Sequence, residues 1–204
     1  MNATWNYTRY LIKSDLYRYI GRTSYKDFLH ELSTRPGFQY SFWMRICAYL
    51  SAKKSSIFKM MFIVSRIFLR HYRYKYQIDI PYTTSIGPGL CIAHFSAIIV
   101  SPETKIGKNL TIFQGVTIGK AARGRRAGAP IIGNNVYVAP GAKIFGKIVI
   151  GDNVVVGANS VVPKNIENNA VVGGVPMRVL SYKGADGYVN RTDYPQWTDL
   201  ASSP

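Results

Sequence analysis

Cysteine is nearly absent: Cys47 and Cys91 are the only two in 204 residues. They fall in different regions, without redox or metal-ligand spacing, which excludes a disulfide framework and favours a reducing compartment. Histidine is equally sparse, with His30, His71 and His94. Acidic residues are short as well, ten Asp and Glu against 26 Lys and Arg, for a formal charge of +16. No recognised nucleic-acid motif accompanies the basic residues, so no nucleic-acid partner is expected. Long apolar runs are missing too. In the most apolar helical stretch the longest uncharged run covers residues 60–65, far below the ~18 to 20 residues of a spanning helix. The first residues, MNATWNY, lack the basic-then-apolar pattern of a secretory signal, so a cytoplasmic location is expected.

What is present divides unevenly. Residues 1–78 hold 14 Lys and Arg against 3 Asp and Glu, a balance of +11 out of the +16, which points to an anionic partner at the front of the chain. Apolar spacing there predicts helices over 10–20, over a short segment around Phe28, Leu29 and Leu32, over 40–52, and from about 56 to 72, with Arg35-Pro36-Gly37 as a break. In the fourth, Lys59, Arg66, Arg70 and Arg73 form one basic stripe on an otherwise apolar cylinder of Phe58, Met61, Phe62, Val64, Ile67, Phe68 and Leu69. Two uses remain open for this 1–76 region: capping the next domain, or lying in a membrane interface as a peripheral contact at the inner face of the cytoplasmic membrane.

From 79 to 162 an aliphatic residue returns every sixth position: Ile106, Ile112, Ile118, then Ile132, Val138, Ile144, Ile150, Val156 and Val162. Small residues often follow, as at Gly107, Gly119, Gly133, Ala139, Gly151 and Gly157. A six-residue beat is neither helical nor a strand alternation. It is the beat of a chain that turns a corner every six residues and stacks one inward side chain per edge, a parallel β-helix over 77–180. Between Ile118 and Ile132 the step is fourteen, and the insertion over 120–129 is basic and rich in Gly and Ala. It is expected to protrude as a flexible loop, either closing over a phosphate-bearing cofactor or acidic acceptor or simply solvated. The polar tail, 181–204, carries no assigned role; either Tyr194 and Trp197 dock on a neighbouring subunit or the segment is disordered.

One histidine, His94, falls inside the repeats. Asp79 precedes it by fifteen residues, slightly less than one coil, so the two side chains are expected on adjacent coils near one corner, as a general base and its orienting carboxylate. A metal-dependent hydratase on such a fold needs three converging histidines and the repeats supply one; no metal is expected. Cys91 lies close enough to His94 to raise a covalent route, but a lone Cys in a β-rich wall is usually packing.

The hexapeptide beat, with Ile118-Gly119, Asn135-Val136-Tyr137-Val138, Gly141-Ala142-Lys143-Ile144, Gly157-Ala158-Asn159-Ser160-Val161-Val162 and Gly174-Val175-Pro176, resembles the hexapeptide-repeat acyltransferases, within them serine O-acetyltransferases and related enzymes of bacterial surface polysaccharide clusters. The resemblance implies a left-handed β-helix, the opposite of what general crossover rules predict. It implies acetyl-CoA as acetyl donor, bound between two β-helices of a homotrimer, with His94 and Asp79 catalytic. It places Gly119, Lys120, Ala158, Lys164 and Arg178 at the coenzyme.

The sequence departs from serine acetyltransferases at three places. An aspartate before the catalytic histidine is replaced by Ala93, and an Arg-His pair before the proline that resumes the coils is replaced by Gly128 and Ala129 before Pro130. Without these partners a zwitterionic acceptor loses charge-assisted bonds. The expectation is therefore an O-acetyltransferase acting on a sugar hydroxyl, a carbohydrate acceptor in a surface polysaccharide or its lipid-linked precursor. Serine O-acetyltransferase is the alternative, and a non-catalytic scaffold at the membrane surface a third.

Overall fold

The computed structural model describes residues 4–196; Trp197 lies outside them. Four helices come first, α1 (Trp5–Ile20), α2 (Tyr25–Thr34), α3 (Pro36–Ser51) and α4 (Ser56–Tyr76). Thr4 caps α1, its hydroxyl accepting from Tyr7 N at 3.2 Å, and Gly21 closes it at φ 73°. The Arg35-Pro36-Gly37 stretch, expected only as a break, also starts a helix. Pro36 occupies the first position of α3, where its missing N–H costs nothing. Gly37 is needed for proximity: a Cβ there would stand 2.2 Å from the Ile92 carbonyl oxygen. α4 runs four residues beyond its expected end and stops at Gln77, which adopts φ 52°.

Fifteen short strands follow among the described residues. β1 (Ile78–Asp79), β4 (Ile98–Val100), β7 (Thr117–Gly119), β10 (Lys143–Phe145) and β13 (Val161–Val162) form a first sheet. The second contains β2 (Ser85–Ile86), β5 (Lys105–Ile106), β8 (Ile131–Ile132) and β11 (Val149–Ile150). The third contains β3 (Cys91–Ile92), β6 (Thr111–Ile112), β9 (Tyr137–Val138), β12 (Val155–Val156), β14 (Val171–Gly173) and β15 (Arg178–Ser181). Among these strands every pairing is parallel except that of β14 with β15. This is the left-handed β-helix with an N-terminal helical region expected above.

The six-residue beat maps onto three internal ladders. Ile118, Ile144 and Val162 stack behind the first sheet, Ile106, Ile132 and Ile150 behind the second, and Ile112, Val138 and Val156 behind the third; all are at most 5% exposed. Each such burial contributes roughly 1.5–3 kcal/mol. At the corner between the second and third sheets, Asn109, Asn135, Asn153 and Asn169 all adopt positive φ. Their amides form a ladder, Asn109 to Asn135 at 2.8 Å, Asn135 to Asn153 at 2.9 Å and Asn153 to Asn169 at 3.2 Å. Asn tolerates the left-handed region better than most residues, and here it also satisfies its own amide. Tyr194 is buried, and its hydroxyl donates to Asn109 Oδ1 at 2.6 Å.

Helices close the first coil. Tyr40, Met44, Cys47, Leu69 and Tyr76 join the same apolar cluster as the coil residues. Tyr40 Oη donates to the Ile80 carbonyl at 3.0 Å and accepts from Ile80 N at 3.1 Å. Asp15 and Arg45, both buried, pair at 3.0 Å. Arg45 also donates to the carbonyls of Ile86 at 2.6 Å and Gly87 at 2.7 Å, while Asp15 accepts from Leu90 N at 2.8 Å. Among the described residues no helix is long and apolar enough to cross a membrane.

The 120–129 insertion is more ordered than a flexible loop. Ala121 and Gly128 exchange backbone bonds at 3.0 Å, and Lys147 N donates to the Arg126 carbonyl at 2.9 Å, tying this hairpin to the following coil. Two glycines with positive φ, Gly124 and Gly128, make the reversal possible.

Candidate active site

His94 occupies an irregularity that the six-residue count does not show. Ile92 pairs with Ile112, twenty residues on, whereas Ile99 pairs with Thr117, eighteen on. The corner between β3 and β4 therefore carries two more residues than the corner above it. The backbone identifies them: Ala93 N donates to the Ile112 carbonyl, and the Ser96 carbonyl accepts from Gly115 N, so the stack resumes at Ser96. His94 and Phe95 bulge outward, both exposed. Ser96 and Ala97 complete the turn at φ 95° and 52°.

The bulge rests on the end of α4. Phe95 lies 5.2 Å from the Tyr76 ring, Ser96 N donates to the Tyr76 carbonyl at 3.0 Å, and Ser96 Oγ to Gln77 Oε1 at 3.0 Å. The His94 ring faces Phe113 at 5.8 Å between centroids. An exposed imidazole on a fixed bulge is able to take a proton from a bound hydroxyl.

The expected Asp79–His94 hydrogen bond is not formed. Asp79 lies in β1, in register with Ile99, five residues past His94. Its carboxylate is held by Arg73 at 2.6 Å and lines a cleft of about 590 Å³ beneath α4 with Arg66, Arg70 and Tyr82. Two physical causes separate the pair. The bulge lengthens the coil to twenty residues, and α4 delivers Arg73 to Asp79 from only six residues upstream. Arg73 was read from sequence only as part of a stripe; its place at Asp79 required the turn at Gln77.

Cys91 is buried behind the same corner, and burial pushes its thiol up to about 11. Burial therefore disfavours the thiolate, in keeping with a packing role for this side chain.

The five expected coenzyme residues fall into two groups. Gly119, Lys120 and Lys164 lie where the chain leaves the first sheet, beside the hairpin that carries Arg123, Arg125 and Arg126. Ala158 and Arg178 lie by the corner where the chain leaves the third sheet, on the edge that also bears His94. Lys120 is tied to Glu103 at 2.6 Å. A Cβ at Gly119 would meet nothing nearer than 3.8 Å, so its lack of a side chain is not imposed by packing. One chain therefore presents the two groups on opposite edges of its first sheet.

Comparison with known proteins agrees with this architecture. Residues 129–164 match the family model described as bacterial transferase hexapeptide (six repeats). A serine acetyltransferase of Staphylococcus xylosus is 33% identical over 145 residues, covering 71% of this chain and 65% of that protein. Solved structures add a serine acetyltransferase from Brucella abortus in complex with coenzyme A, 25% identical with TM-score 0.70, covering 90% of this chain and 70% of that one. A soybean serine acetyltransferase complexed with serine is also 25% identical, with TM-score 0.71, covering 86% and 70%. The fold is a β-helix of hexapeptide repeats, and the family model matched by residues 129–164 is that of bacterial transferase hexapeptides. Within that class the chain is similar to serine acetyltransferases, although it spans only 65% of the Staphylococcus xylosus relative and 58% of a Staphylococcus aureus one.

These relatives overturn the expected sugar acceptor and polysaccharide role, since the named proteins are serine acetyltransferases. The error came from reading three missing side chains as a missing site. Ala93, Gly128 and Ala129 show what is absent at three positions and nothing of the charges that other elements bring.

Proposed function

We propose that the chain is an acetyl-CoA-dependent O-acetyltransferase acting on the hydroxyl of serine, assembled as a homotrimer. The observation that carries this reading is the exposed His94, raised on a two-residue bulge of a fold otherwise regular, in a chain whose relatives are named serine acetyltransferases. His94 removes the hydroxyl proton as the acceptor oxygen attacks the thioester carbonyl. A backbone N–H steadies the oxyanion, the C–S bond breaks, and His94 returns the proton to the departing sulfur. Lys120, Lys164, Arg178 and the hairpin arginines suit the coenzyme's phosphates. Gly119 and Ala158 leave room beside them. Because the two groups lie on opposite edges of one sheet, a neighbouring copy is needed to bring them to one groove.

The charges for a zwitterion come, in this reading, from α4 and β1. Arg73 and Asp79 are both partly exposed and adjoin the His94 bulge through Tyr76 and Gln77. The acceptor carboxylate draws Arg73, and the released Asp79 orients the imidazole, fixing its tautomer and supporting its cation. Initial rates of coenzyme A release with serine test this. His94→Ala should lose about 10²–10⁴ in kcat, Arg73→Met should raise the KM for serine with little change in kcat, and Asp79→Asn should lower kcat. Release no faster with serine than without it would refute the acceptor, and undiminished turnover in His94→Ala would refute the base.

A further inference from the structure

Most of α4 is turned to solvent. Of its residues only Ser65, Leu69 and Tyr76 are buried. At helical spacing the outward face carries Ile57, Met60, Ile63, Val64 and Ile67, with Ile57, Met60, Ile63 and Ile67 each at least 60% exposed. A soluble helix normally turns such a stripe inward and its charges outward. Here the core-facing stripe is already occupied, and a second apolar face remains uncovered.

Charge lies beside that face and is of one sign. Lys59, Arg66 and Arg70 are exposed along one edge of it, and α4 contains no acidic residue. Arg66 and Arg70 share a cleft with Ile63 and Ile67. Arg66 lies over the rings of Phe62 at 5.7 Å and Tyr82 at 5.5 Å, and Arg70 over Tyr74 at 5.8 Å, arrangements that hold both guanidinium groups at the rim of the apolar face. The region has no carboxylate to spare for them. Asp15 is paired with Arg45, Asp27 with Arg22 and Glu31 with Arg35, and Asp79, which lines the same cleft, is held by Arg73.

We infer that α4 docks this face on an anionic phospholipid surface, the five aliphatic and methionine side chains entering the acyl boundary while Lys59, Arg66 and Arg70 take headgroup phosphates. A second copy of the same helix fits the apolar face but not the charge. Two such helices side by side would crowd cations on both partners, with no carboxylate between them, whereas a sheet of phosphates is complementary. An amphipathic helix with apolar residues on one face and Lys and Arg along its border is the form that lies in a membrane interface. Ile63, Ile67, Arg66 and Arg70 line the cleft that also holds Arg73 and Asp79, but vesicle binding is read without turnover, so its failure and the failure of the acetyl-transfer reading are distinguishable.

The test is sedimentation of the full chain with vesicles of phosphatidylcholine alone, or of equal parts phosphatidylcholine and phosphatidylglycerol. Binding is expected only with the anionic vesicles and should weaken as salt is raised. Ile63→Asp/Ile67→Asp should weaken it by at least about tenfold, and Arg66→Gln/Arg70→Gln by roughly thirtyfold, at about 1 kcal/mol per charge near the surface. Both pairs change exposed side chains, and the Gln pair leaves the apolar face intact should the Asp pair disturb folding. Failure of the unaltered chain to bind anionic vesicles at low salt would overturn the inference. So would equal binding by the Gln variant, or a change of oligomeric state in the Asp variant with vesicle binding unaltered, which would assign the face to a second copy.

Discussion

Replacing Asp15 or Arg45 should loosen the joint between the helices and the first coil. The side chain of Asp15 is fully buried and that of Arg45 is 5% exposed. Arg45 makes two bonds to the carboxylate, at 3.0 and 3.2 Å, and two to backbone carbonyls. In Asp15→Ala the guanidinium keeps its carbonyl partners, loses its counter-charge, and leaves Leu90 N without an acceptor. Removing one member of a buried pair costs about 3–5 kcal/mol, and Arg45→Met, which strips the carboxylate of its cation and two carbonyls of their donor, should fall at the upper end. The double variant, Asp15→Ala/Arg45→Met, leaves no unpaired charge, so its cost should be smaller than the sum of the singles by about 2–3 kcal/mol. Urea unfolding at one fixed protein concentration measures all three, since an oligomer's apparent stability depends on concentration. Additive costs, with a coupling below about 0.5 kcal/mol, would refute the claim that this pair acts as a unit.

Two further outcomes follow from the coils. Gly133→Ala places a Cβ 2.4 Å from Asp152 Oδ1 and 2.8 Å from the Gly151 backbone, so it should destabilise by about 1–3 kcal/mol. Gly119→Ala, whose nearest neighbour is 3.8 Å away, should stay within about 0.5 kcal/mol of the parent; equal melting shifts for the two would contradict the packing described. Cys91, with its thiol pushed up to about 11 by burial, should resist iodoacetamide at pH 8 in the folded protein and react once urea unfolds it. Rapid labelling of the native chain would show the corner to be open.

The coils were legible because their signal is periodic. An inward Ile or Val every six residues has one geometric solution, and the register pairs Ile132 with Ile150 and Ile144 with Val162. His94 was legible as the lone histidine in that ladder. The bulge that raises it was not, because the two extra residues look like any others until pairing on both sides is known. Asp79 is bonded to Arg73 and not to His94: Arg73 arrives through a helix end and a left-handed Gln77, a turn that spacing along the repeats does not encode. The basic stripe of α4 was read from its spacing. Which face would be left uncovered depended on how α3 seats against α4, and that is a property of packing.

A stack of parallel coils has two raw ends, each with backbone groups able to recruit another rung, and nothing within the repeat itself says when to stop. Here one end is stoppered by Tyr40, Met44 and Tyr76. At the other, β15 runs against the grain, pairing antiparallel to β14 from Arg178 to Ser181. A reversed strand offers the wrong polarity to an incoming parallel rung. The molecule's finite length is thus written in the two segments that break its own rule, and chains lacking either one would be candidates for end-to-end fibre growth.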